Sequence, residues 1–148
     1  MATDAKTGLS SAEHAALGEI AAAMIPADTG LAMPGADDPI ILADIAGSLG
    51  RDLPPVREAI ADLAARVFFS LDRDGREALI NDYHAEGGEA ATALGRAVLG
   101  AYYRDDRVLI ALGQEARAPF PKGYVVEQGD WTLLDAVRGR APFWRKDR

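Results

Sequence analysis

The sequence predicts an all-α protein: a compact helical domain of six to seven short helices with an irregular C-terminal strap. Three observations carry this. Apolar residues recur at intervals of three and four through most of the chain, as in Leu17, Ile20 and Met24 or Val56, Ile60, Leu63 and Val67. Prolines and glycines punctuate those stretches at lengths suited to short helices. No pair of alternating runs offers a convincing strand pairing, and no internal repeat is present.

The elements follow in order. Residues 1–9 are small and polar and are expected to be flexible. Ser10 followed by Glu13 has capping-box spacing, and a helix over 11–24 stops at Pro26. A turn-rich connection follows. Asp38 as N-cap and Pro39 in the first helical position then open a helix over 39–48 that ends at Gly50. Pro54-Pro55 starts a third helix expected to reach Leu71. Asp74 is the expected cap of a fourth, which runs to Glu86 and is broken by Gly87-Gly88. A fifth helix spans 89–103, and a sixth is capped by Asp105 or Asp106 and terminated by Gly113. This completes a helical body over 10–113. In the arm, 114–148, the helical period fades; Val125-Val126 offers at most a scrap of extended chain, and Asp130 caps a last helix over 131–139.

Composition narrows the function classes. At 148 residues the chain is one domain by size, with enough apolar residues for one core. Its net charge of −7 argues against nucleic acid as a partner, since phosphate binding needs a basic face. From Arg138 onward five basic residues stand against one acid, a local +4 that leaves −11 for the rest of the chain. There is no cysteine, which excludes disulfides, thiolate nucleophiles and cysteine-ligated metal clusters. No apolar run is long enough to span a bilayer, and Met1 to Ser11 has neither a signal-peptide pattern nor a twin arginine. The expectation is a cytoplasmic protein, with a periplasmic one the alternative if a signal was removed or a partner carries one.

No catalytic constellation emerges. His14 and His84 lie in different helices without a second ligand at metal spacing. Asp72-Arg73-Asp74-Gly75 lacks the later ligands of a calcium loop. The glycines form no phosphate loop, and no serine sits in a nucleophile elbow. Five of the ten aromatic residues fall in the last 29 positions, among them Phe120, Tyr124, Trp131 and Trp144, with Arg145 beside the last. Tryptophan, tyrosine and arginine are the types enriched at protein–protein hot spots. Together with the corner pair Tyr102 and Tyr103, these seven are the expected partner interface. A strap packed on its own domain is the plainer reading of the arm. A core role for one tyrosine, with the other sealing the arm against the body, is the plainer reading of the pair.

Ile25-Pro26-Ala27-Asp28, Pro34-Gly35-Ala36, Phe69, the stretch Gly100–Gly113 and Pro121-Lys122-Gly123-Tyr124 occur in an order and spacing that resembles the gluconate 2-dehydrogenase subunit 3 family. The resemblance covers about residues 10–125. It implies a non-catalytic helical subunit of a hetero-oligomer, with no cofactor of its own. The implied partner is a large FAD-dependent dehydrogenase of the GMC type that oxidises sugars or alcohols. The small subunit would aid that partner's folding, cofactor loading and often export. Many members carry a twin-arginine signal, and this sequence departs from them there. The rivals are a stand-alone small-molecule protein using Tyr102, Tyr103 and His84, and a general helical adaptor.

Overall fold

The computed structural model describes residues 8–116 and 129–141. Seven α-helices and no named strands occur among them, so the fold is all-α. The chain divides into two compact units, Met1–Arg117 and Ala118–Arg148.

In the first unit, α1 (Ser11–Met24) opens with the full reciprocal capping box: Ser10 Oγ accepts from Glu13 N at 3.2 Å, and Glu13 accepts from Ser10 N at 2.6 Å. Gly8 and Leu9, expected to be loose, are held. The Gly8 carbonyl accepts from Arg57, which also pairs with Glu13 at 3.0 Å, and Leu9 packs against the core. Then α2 (Pro39–Ser48) starts behind Asp38, whose carboxylate accepts from Ile40 N at 3.0 Å.

The third helix is shorter than the periodicity suggests. α3 (Leu53–Ala65) stops where Val67 takes a left-handed conformation (φ 57°), and a 3₁₀ turn over Phe68–Ser70 follows. Continuing the helix to Leu71 would keep Phe68 on its helical bearing. The left-handed step turns its ring instead into full burial, while Val67 is left 61% exposed. α4 (Arg73–Glu86) is capped by Asp72 and not Asp74: the Asp72 backbone is extended, and its Oδ1 accepts from Gly75 N at 2.9 Å. Gly87 and Gly88, both at positive φ (77° and 101°), separate α4 from α5 (Glu89–Tyr102). Asp105 caps α6 (Asp106–Ala111) by accepting from Arg107 N at 2.9 Å.

α5 is the central element. It buries Leu94, Val98 and Tyr102 together with four alanines, and it lies against α3 and α2. The alanines let the neighbouring backbones approach closely. α1 packs on α4 and α3, adding Leu17 and Ile20 to the core. No described side-chain polar atom is buried without a partner.

The second unit holds a 3₁₀ turn, Trp131–Leu134, capped by Asp130, and α7 (Asp135–Arg138). The sequence suggests one helix over 131–139; only its second half is α-helical. All described residues of this unit are exposed. Val125-Val126 lies outside the described residues.

Candidate functional site

The Tyr102–Tyr103 corner splits into two roles. The rings meet edge to face with centroids 5.4 Å apart. Tyr102 is a core residue, and its hydroxyl donates to the Pro34 carbonyl at 2.9 Å. Its proposed place in a partner interface is therefore corrected: the ring has no free face to offer, and burial raises the pKa of its hydroxyl. Tyr103, one position on, is 53% exposed and remains available to a partner. Trp131 is 61% exposed. Phe120, Tyr124, Trp144 and Arg145 lie outside the described residues.

His84 sits against α5 at Gly95, seven positions before Tyr102. A Cβ added to Gly95 would come within 3.3 Å of its ring, and this burial lowers its pKa. The neighbouring Tyr83 donates to Asp62 at 3.3 Å and lies under the Arg66 guanidinium. Desolvation first, and the Asp62 carboxylate second, push the Tyr83 hydroxyl up to about 12. No cluster of three or more potential metal ligands is found among the described residues. No helix among them is long and apolar enough to cross a membrane.

The structure brings together a different set of residues. An open groove of about 400 Å³ lies between the C-terminal end of α1 and the beginning of α4. Its apolar lining is Ala22, Ala23, Pro26, Ala27 and Leu71, and its charged members are Glu19, Asp37, Arg73 and Arg76. Part of its wall is the Ile25–Ala36 loop, which closes on itself. Ala36 N donates to Ile25 O at 2.9 Å, and Asp28 and Met33 exchange two backbone bonds of 3.0 and 2.9 Å. Within that loop Asp28 Oδ1 accepts from Gly30 N and Leu31 N, an Asx turn. The Tyr102–Pro34 bond then fixes the loop to α5.

Glycine at position 35 suits the close return of the chain past Ile25–Ala27. A Cβ there would lie 3.1 Å from Ala27 N, so the backbone would have to give by a few tenths of an ångström. It would also lie 2.3 Å from Asp37 Oδ1, an exposed carboxylate that would have to turn aside. The segments Ile25–Asp28 and Pro34–Ala36, which carry much of the family resemblance, are thus builders of this wall.

Arg76 is immobilised at the groove's edge. It pairs with Glu19 at 2.9 Å and donates to Phe69 O at 3.0 Å and Leu71 O at 3.1 Å, with its guanidinium over the Phe68 ring. The Asp37 and Arg73 side chains are exposed, and neither makes a hydrogen bond or ion pair among the described residues. Sequence reasoning missed this site. Its one available signal was the run Ala21-Ala22-Ala23 at the end of α1, where small side chains leave room on a helix face.

No family model, curated protein or solved structure matches this chain.

Proposed function

We propose that the chain is a non-catalytic small subunit that binds and stabilises a large FAD-dependent dehydrogenase of the GMC type, acting on sugars or alcohols. In this reading the flavin belongs to the partner, and the small subunit assists folding and cofactor loading within a hetero-oligomer. One observation carries the binding role. Trp131, Leu133, Leu134 and Val137 are all exposed, Leu133 by 75%, on a unit whose described residues contain no core. Large apolar side chains in such a segment gain most by being covered, and Trp131 is of the type that anchors interfaces. Arg138 and Arg140 follow directly in the sequence, which becomes more basic beyond them. The flavoprotein identity rests on the sequence resemblance, to which the groove-building segments belong.

The test is co-expression with a large flavoprotein encoded beside this chain, followed by native mass spectrometry and a flavin absorbance spectrum. The expected result is a stable complex whose large subunit carries flavin only when the small one is present. W131A/L133A should lower partner recovery about tenfold or more without changing the helical circular dichroism of the body. A large subunit that folds and loads flavin alone, and ignores this chain, would remove the reading.

A further inference from the structure

The groove between the end of α1 and the start of α4 is open, lined by small apolar residues and edged by charges of both signs. We propose that it binds a short peptide segment of a partner protein, two or three small apolar residues flanked by one acidic and one basic side chain. This stands apart from the flavoprotein reading and depends only on the first unit.

Three features support it. The groove is open and about 400 Å³ in volume, room for a few residues of extended chain at roughly 3.3 Å each. Ala22, Ala23 and Ala27 line it without filling it, so a bound main chain can approach closely and only small side chains fit beneath. The charges supply the selection. Arg76 is held by four partners and serves as wall. Arg73 and Asp37 have no partner among the described residues, so each can receive an opposite charge from a ligand. Arg73 presents a guanidinium fork matched to a carboxylate, and Asp37 accepts from a lysine or arginine. An anion drawn to Arg73 is opposed by the like charge of Asp37 in the same groove, and a cation drawn to Asp37 by that of Arg73. This complementarity favours a peptide with both signs over a simple anion or an aliphatic ligand.

The test uses the full chain and an array of synthetic ten-residue peptides, with the best binders titrated into ¹⁵N-labelled protein. Bound peptides should be enriched in a small apolar stretch with an acid on one side and a base on the other. Their amide shift changes should centre on Ala22, Ala23, Ala27 and Leu71. R73E should weaken an acid-bearing peptide about tenfold, and replacing that acid by lysine should restore binding to R73E. D37K should do the converse for the basic residue. Both positions are exposed, so these variants leave the core intact. An array without binders, shifts centred elsewhere on the protein, or unchanged charge preference in R73E and D37K would each overturn the proposal.

Discussion

Val67 holds a backbone conformation that a β-branched residue adopts at a cost of roughly 1–2 kcal/mol. It does so because Phe68, the next residue, must turn into the core directly after α3. The side chain itself is mostly exposed, so little burial would be lost by removing it. V67G relieves the left-handed strain and gives back roughly 0.5–1 kcal/mol through the greater freedom of glycine in the unfolded chain. The expected net effect is a stabilisation of about 0.5 kcal/mol, read as a higher urea midpoint at unchanged slope. A lower midpoint would show that the Val67 side chain contributes packing that its exposure conceals. Position 67 also shows what a periodic pattern misses. Valine fits the apolar stripe of α3, and nothing local announces that its backbone leaves the helix.

Between elements, arginine bridges at the surface add to the packing of the core. Arg107 at the start of α6 binds the carboxylate of Asp38, the cap of α2, through both terminal nitrogens at 3.0 and 2.8 Å. It also binds Asp105, its own helix's cap, through Nε at 3.0 Å and Nη2 at 2.9 Å. One guanidinium therefore holds two capping carboxylates, and α6 is pinned to α2. Arg104 adds a pair with Asp44 at 2.7 Å, and Arg96 grips Asp52 with bonds of 2.8 and 2.7 Å. Bonding to Arg107 is the main cause holding the Asp38 and Asp105 carboxyls below the ordinary aspartate value. The sign follows from linkage. A carboxyl whose pKa is lowered by folding contributes stability that is present above its unfolded value of 3.8 and is lost as pH falls through the folded value. Arg107→Gln is therefore expected to be less stable than the parent at pH 7. It should also lose stability less steeply on acidification below about pH 4. Urea midpoints measured across that range decide it, and parallel pH profiles for the two proteins would show that the clasp contributes nothing to folding.

At the scale of the molecule, every fully buried apolar side chain described lies between Leu17 and Val108, within the first unit. Folding of the body should then be independent of the second unit. A chain ending at Arg117 is expected to melt cooperatively within a few degrees of the full protein's midpoint and to keep its helical signal per residue. The same truncation should abolish recovery of the large partner. A body that unfolds on truncation would place part of its stability in the C-terminal unit, and the independence of the two would fail.

The class of fold and most helix limits are legible in the amino-acid order, because they depend on local signals. Ser10, Asp38 and Asp105 cap with their own carboxylates or hydroxyls a few residues ahead, and Gly87-Gly88 and Gly113 break helices through positive φ. The bounds of α1 and α2 are readable from such signals alone. Tertiary structure decided what depends on distant partners. The Tyr102 hydroxyl finds Pro34, 68 positions away, and Arg107 finds Asp38, 69 away. That choice makes Tyr102 core and Tyr103 surface, though the two are adjacent and identical in chemistry. The groove likewise joins the end of α1, the Gly35 loop and the start of α4, segments whose spacing carries no period. Its alanines read as ordinary helix formers until the packing of α1 against α4 leaves the space beside them unfilled.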